Sequence, residues 1–386
     1  MHDNDIQGVG TGAFSIAAGV FLRTVALAAK AVVAKPVMPA LENLRFDIHD
    51  GYLTLSGSDT ETTVSVRREL ITCGYNGSFL VLPAMVRDPL KGLSASRLDF
   101  RVEGWSLTIS WPGGEVSMPV MSSDEWPAED SVQGESFSAR TISGDLLSAM
   151  SLTDYACAKD ETRPQICGMD FEFQGDGLVL VATDAHVLAA TTLPQAAAPR
   201  AFSFILPRRT ASVLKSLLGG SLDVDVRCDD RFVSFDIADA GILVRGRLLE
   251  GAFPNWRSIV PHDPPVTART ARGAVLEACT RMGACSGAGR LVVLSFRAST
   301  MEASAADLGM QLSGHETVPV RMEGGDGIEI GFRAEGLMSV LDNMPGITLR
   351  IGMTDAGKAA VMRDDDEDQE RMHTLAVIMP VMIDKE

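Results

Sequence analysis

Signatures of metal, disulfide and nucleotide chemistry are missing from this chain. Its six cysteines, at positions 73, 157, 167, 228, 279 and 285, form no C-x-x-C pair, and its six histidines show no ligand spacing. A zinc module and a disulfide-stapled secreted domain are therefore disfavoured, and a reducing cytoplasm is the expected setting. No G-x-G-x-x-G, P-loop, H-E-x-x-H or G-x-S-x-G element is found either, so the usual marks of dinucleotide, triphosphate and hydrolase sites are absent. Positive charge is also scarce. The 386 residues carry 34 basic and 51 acidic side chains, a net charge of −17, which excludes a protein that grips nucleic acid with its whole surface. Any polyanion must be met through a local patch.

What is present is apolar and repetitive. At 46% apolar residues the chain can fill several cores. Residues Phe14 to Ala34 resemble a signal core or a membrane span, but Arg23 and Lys30 interrupt the run and no base precedes it. A soluble amphipathic helix is expected there, with Arg23 and Lys30 on one face.

Three markers recur along the chain. Strand pairs ending in aspartate read Phe46-Asp-Ile48 with Leu53 to Asp59, Phe171-Glu-Phe173 with Leu178 to Asp184, and Leu294-Ser-Phe296 with Met301 to Asp307. The aspartates are 125 and 123 residues apart. Phe14-Ser15, Phe137-Ser138 and Val266-Thr267 each open a helical stretch. A strand running into a helix appears at Phe79–Pro83 before Leu90 and Leu93, at Phe204–Pro207 before Leu214 and Leu217, and at Ile328–Phe332 before Leu337 and Leu341. Strand and helix periods thus alternate within each unit, and the expected fold is α+β, three similar domains in tandem. Composition places the joins: residues 1–13 as a loose extension, then domains over 14–134, 135–262 and 263–386. An acidic linker is expected over Ser122–Glu135, and a solvated hairpin tip at Asp364–Asp368.

Charge is sorted along these units. Windows 14–41, 200–222 and 264–301 hold twelve bases and one acid, Glu277, where the chain's mean acid content would give about a dozen. Helix surfaces are often rich in Lys and Arg, which explains the bases. The missing acids fit better a positive lining for a uniform polyanion, bound without regard to sequence.

The sharpest enzymatic alternative is Thr183-Asp184-Ala185-His186, as a metal-dependent hydrolase using Asp184 and His186. Asp184 has counterparts in Asp59 and Asp307, however, and a carboxylate kept in all three copies fits a turn bonding its own backbone amides. The Val377-Ile-Met-Pro-Val-Met382 end reads equally as core strand or as an apolar surface for partners.

Four motifs in order carry a family resemblance: Gly57-Ser-Asp-Thr-Glu61, Val181-Ala-Thr-Asp-Ala-His-Val-Leu188, Gly251-Ala-Phe-Pro-Asn-Trp-Arg257 and Val377-Ile-Met-Pro380. From about Phe14 to Ile383 the chain resembles the beta sliding clamp of bacterial DNA polymerase III holoenzymes. The resemblance implies a non-catalytic processivity factor without a cofactor or membrane attachment. It implies a head-to-tail homodimer closing a ring of six domains round duplex DNA, with helices lining the hole and sheets outside. It further implies short peptide motifs of DNA polymerase and clamp loader docking into a pocket walled by Ile166, Thr183, Ala185, His186, Val187, Leu188, Pro254, Ile259, Ala359, Val377 and Met379. The DNA-facing positions would be Arg23, Lys30, Lys35, Lys159, Arg163, Arg208, Arg209, Lys215, Arg269 and Arg272. Relatives usually carry Gly and Arg where this chain has Ala185 and Val187, and an aromatic pair where it has Pro164 and Gln165. A specialised paralogue, or a scaffold that binds proteins without being loaded on DNA, is the alternative within the family.

Overall fold

The computed structural model describes residues 8–93, 96–127, 136–160, 162–175, 177–287, 290–325, 327–365 and 372–383. Among these residues six α-helices occur, entered directly from a strand except α2, which follows one after the single residue Leu82: α1 (Ala18–Ala28), α2 (Pro83–Arg87), α3 (Ser143–Ser151), α4 (Arg208–Leu217), α5 (Arg272–Ala284) and α6 (Ala334–Asn343).

The entry to α1 corrects the expectation of a helix over Phe14–Ala34. Thr11–Ala17 is a strand, paired along its length with Arg97–Glu103, and Phe14 stacks on Phe100 with ring centroids 4.6 Å apart. A long-range ladder and a buried ring outweigh local helix propensity here. Lys30 falls beyond α1 in the 3₁₀ turn Ala29–Ala31. Helix α2 stops at Arg87, before Leu90 and Leu93: Asp88 still has helical angles, but Pro89 has no N–H to continue the hydrogen-bond ladder.

The chain packs as two units: residues up to Ser143 with Ser212–Leu248, and Gly144–Ala211 with the chain from Leu249 onward. The first holds a five-stranded sheet in the order Thr72–Cys73, Thr11–Ala17, Arg97–Glu103, Ser106–Trp111, Gly114–Pro119. It also holds a nine-stranded sheet whose middle is the antiparallel pair Thr62–Glu69 and Ile242–Arg247, in register Val66↔Ile242 and Thr63↔Arg245. The second unit repeats this plan. Its nine-stranded sheet is joined where Val187–Leu193 pairs with His373–Ile378, in register Leu188↔Val377. Its four-stranded sheet runs Leu312–Pro319, Thr300–Asp307, Leu291–Arg297, Ile328–Arg333.

Each nine-stranded sheet thus joins strands of two sequence repeats, and the middle repeat contributes to both units. Stacked phenylalanines fill the helix-facing sides: Phe46 on Phe79 at 5.1 Å, Phe171 on Phe204 at 5.0 Å and Phe173 on Phe202 at 4.8 Å. Each buried ring contributes roughly 1.5–3 kcal/mol over exposure. Gly57 lets α1 approach its strand closely, since a Cβ there would collide with the Ala28 carbonyl oxygen.

The expected hairpin at Asp364–Asp368 has its arms in Ala360–Asp364 and His373–Ile378, which pair antiparallel. Its tip, most of the Ser122–Glu135 linker and most of the 1–13 extension lie outside the described residues. No described helix is long and apolar enough to cross a membrane.

Candidate functional site

The Thr183–His186 turn is built by its own side chains. Asp184 Oδ1 accepts hydrogen bonds from the His186 and Val187 amides at 2.8 and 2.7 Å, and Thr183 Oγ1 donates to the Val187 carbonyl at 2.8 Å. Ala185 takes the left-handed conformation, φ +74°. Asp59 accepts from the Glu61 and Thr62 amides, and Asp307 from those of Gly309 and Met310. The repeated aspartate is therefore a turn former, as its recurrence implies. The Asp184–His186 hydrolase reading loses its carboxylate to this turn, and among the described residues no group of His, Cys, Asp and Glu is placed to hold a metal ion.

Behind the turn lies an apolar cluster on the face of the nine-stranded sheet. Val181, Leu188, Ala190, Ala359, Val361 and Val377 meet Trp256 and Val260 there, with Phe253 and Leu375 against them. Met379, 43% exposed, rises beside it, and its amide donates to the His186 carbonyl at 2.8 Å. Ile259 is 51% exposed and Pro254 is also exposed, both flanking the buried Trp256. An apolar floor with exposed apolar and polar rims suits a short segment anchored by a few buried side chains.

Of the eleven expected pocket residues, Leu188, Ala359 and Val377 belong to the cluster itself. Thr183, Ala185 and His186 form its turn, while Met379, Pro254 and Ile259 form its rim. Ile166 is buried in the 3₁₀ turn Pro164–Ile166, outside the cluster. Val187 is a correction. It is buried on the opposite face of its strand, where a methyl added to Gly336 of α6 would lie 3.4 Å from its Cγ2. Alternation along a strand sends Leu188 to the pocket and Val187 away from it, and valine is too short to reach back. Trp256, Val260 and Val361 were missed. The Asn255-Trp256-Arg257 motif was the available signal for the first.

Trp256 is held from behind by charge. Its indole N–H donates to Glu172 Oε1 at 2.8 Å, and Arg257 grips the same carboxylate at 3.0 and 2.5 Å while lying 4.3 Å from the indole centroid. Two residues along the same strand, Asp170 is 5% exposed. Burial, and then the neighbouring Glu172 charge, push its carboxyl up to about 7 against the pull of Arg257.

The basic positions divide. Arg23 on α1, Lys35, Lys159, Arg163, and Arg208 and Arg209 in the first turn of α4 are exposed. Arg23 lies near Arg68, whose pKa is lowered by burial and by that charge. Lys215 is half-buried in the last turn of α4, and Lys30 Nζ donates to the Ser216 carbonyl at 2.6 Å. Two of the expected bases have partners within the chain. Arg269 sits on the strand Val266–Ala271, ion-paired with Glu323 at 3.9 Å and Asp365 at 3.4 Å. Arg272 donates to the Leu341 and Gly346 carbonyls at 2.8 and 3.0 Å. Arg281 is likewise held by Glu316 at 2.6 and 2.7 Å. Glu323, Asp365 and Glu316 lie outside the basic windows, and Glu277 within them also pairs with Arg281 at 3.5 Å, so sequence counting overstated the free charge near α5.

Two comparisons of sequence and one of structure bear on this fold and turn. The N-terminal domain of the DNA polymerase III beta subunit matches residues 13–130, and its central domain matches residues 142–255. These two matches of one family cover more than half of the chain, which belongs to the DNA polymerase III beta subunit family. It is 24% identical to the beta sliding clamp of Salmonella typhimurium over 351 residues, covering 90% of this chain and 94% of that one. The beta sliding clamp of Bacillus subtilis is 23% identical over 371 residues, at 91% and 94% coverage. Among solved structures, the sliding clamp of Pseudomonas aeruginosa bound to griselimycin superposes with a TM-score of 0.89 at 24% identity, covering 97% of this chain and all of that one. The beta subunit from Thermotoga maritima gives 0.87 at 20% identity, with 97% of this chain covered.

Proposed function

We propose that this chain is a DNA sliding clamp: a non-catalytic homodimeric ring that surrounds duplex DNA and tethers DNA polymerase and other factors to it. The observation that carries the reading is a pattern of strand edges. The strand after each repeated aspartate turn has a fixed kind of partner in two repeats: Thr62–Glu69 takes Ile242–Arg247, and Val187–Leu193 takes His373–Ile378. The third, Leu312–Pro319, ends its sheet with no described strand on its outer side, and so does Gly114–Pro119 at the end of the five-stranded sheet. An open edge is a template for another chain. Joining these two edges between copies, in both directions, gives a closed head-to-tail dimer. Under this reading the exposed bases Arg23, Lys35, Lys159, Arg163, Arg208 and Arg209 face DNA, and partners place an apolar segment in the Leu188–Val377–Met379 pocket.

A topological assay tests it. Loaded on a nicked circular plasmid by a clamp loader, the protein is expected to stay bound through gel filtration, and to be lost once the plasmid is made linear. Equal loss from circle and line would overturn the proposal.

A further inference from the structure

One backbone frame occurs twice in this chain with opposite linings. In the first unit Asp59 Oδ1 accepts from the Glu61 and Thr62 amides at 3.1 and 2.7 Å, Thr60 has φ +79°, and the Arg247 amide donates to the Glu61 carbonyl at 2.9 Å. These are the bonds made in the second unit by Asp184, Ala185, His186 and Met379. The strand register agrees, since Thr63 stands opposite Arg245 as Leu188 stands opposite Val377. The correspondence is therefore residue by residue. Leu188, Val377 and Met379 are replaced by Thr63, Arg245 and Arg247, and His186 by Glu61.

The first frame also opens on a cleft, lined by Thr60, Glu61, Arg245 and Arg247 with Trp126 and Phe232. Trp126 is fixed there, 6% exposed and packed on Ala40, Leu41 and Leu80. Two guanidinium groups against one carboxylate leave the lining positive in a chain of net charge −17. Guanidinium groups match carboxylates in geometry as well as charge. The aromatic pair adds a small apolar wall beside them. Trp126 is too deeply buried to serve as a platform for stacking a nucleic-acid base. A peptide, by contrast, brings carboxylate and apolar chemistry within consecutive residues.

We propose that this cleft is a second docking site, for an acidic peptide segment whose carboxylates meet Arg245 and Arg247 and whose adjoining apolar side chain rests against Trp126 and Phe232. The proposal rests on reading the second-unit pocket as a peptide site, from which the shared frame extends it. The two linings then sort partners: apolar anchors find no apolar floor at Thr63 and Arg245, and acidic segments find no guanidinium at Val377 and Met379.

Two fluorescein-labelled probes separate the sites on the full chain: a hexapeptide with two adjacent glutamates followed by phenylalanine, and one with a glutamine followed by leucine and phenylalanine anchors. The acidic probe is expected to bind wild type and Met379→Ala alike, and Arg247→Glu about tenfold more weakly, with Arg247→Gln between. Among the chain's four tryptophans, the indole ¹⁵N–¹H signal of Trp126 should shift and that of Trp256 should not. Arg247 is exposed, so its variants keep the fold. The proposal is overturned if the acidic probe does not saturate, if Arg247→Glu binds it as tightly as wild type, or if Trp256 responds instead. It is also overturned if a single-stranded oligonucleotide displaces the probe while moving the same Trp126 signal. Failure of the apolar probe alone would sink the second-unit pocket and leave this binding result standing.

Discussion

At the scale of single residues, the proposed pocket depends on side chains whose roles differ by one step along a strand. Met379→Ala removes an exposed apolar wall without touching the amide bond to His186, so an apolar clamp-binding peptide should lose about 1 kcal/mol, near fivefold in affinity. Fluorescence anisotropy titration measures it, and unchanged affinity would mean the pocket lies elsewhere. Asp170 gives a pH prediction. Its folded pKa, raised to about 7, exceeds the ordinary carboxylate value, so the native state keeps a proton that the unfolded chain has released. Stability from this group therefore falls as pH rises from about 4 to about 7 and is level above that. Asp170→Asn keeps a donor toward Glu172 and removes the titration. Its melting temperature relative to wild type should rise between pH 5 and pH 8, and a difference independent of pH would refute the assignment. Residue-scale sequence reading was uneven for physical reasons. Asp59, Asp184 and Asp307 were legible because their bonds are local. Val187 faces away from the cluster by alternation with Leu188, and what covers that face is remote in sequence, Gly336 of α6 and Ile378 some 190 residues away.

At the scale of elements, repeated strand pairs and strand-to-helix steps were readable because each needs only its own alternation and turn residues. Phe14–Ala17 was not, since its partner Arg97–Glu103 is remote and small apolar residues fit helix and strand alike. Charge followed the same rule. The basic windows do contain α1, α4 and α5, but Arg269 and Arg281 pair with acids remote in sequence, Asp365 and Glu316. That leaves α4 as the helix whose exposed bases matter most. Reversing Arg208 and Arg209 to glutamate puts four units of charge change at its first turn, and acids there also suit the helix dipole, so folding should be unharmed. Retention on a nicked circle should fall severalfold and the salt dependence of loading should flatten. Full retention by the double variant would remove α4 from the DNA path.

For the whole molecule, burial itself points to what covers the last open edge. Thr63 pairs with Ser58 and Leu188 with Thr183, each just before its repeated aspartate, whereas Leu312 pairs with Asp307 itself and opens the edge strand one register step earlier. Leu188 is 2% exposed with the strand of Val377 beside it, and Leu312, on an edge strand with no described strand on its outer side, is 42% exposed. If Gly114–Pro119 of a second copy takes that place, each closed ring buries two such leucines and completes two ladders. Light scattering should then give twice 41.2 kDa at micromolar concentration. Leu312→Asp would bury an unpaired carboxylate at each junction, a cost of several kcal/mol per site that the open monomer escapes. The variant should therefore run as monomer, melt as wild type does once dissociated, and fail to remain on circular DNA. A dimer that survives Leu312→Asp unchanged would place the subunit contact on some other edge, and the repeat pattern would no longer explain how the ring closes.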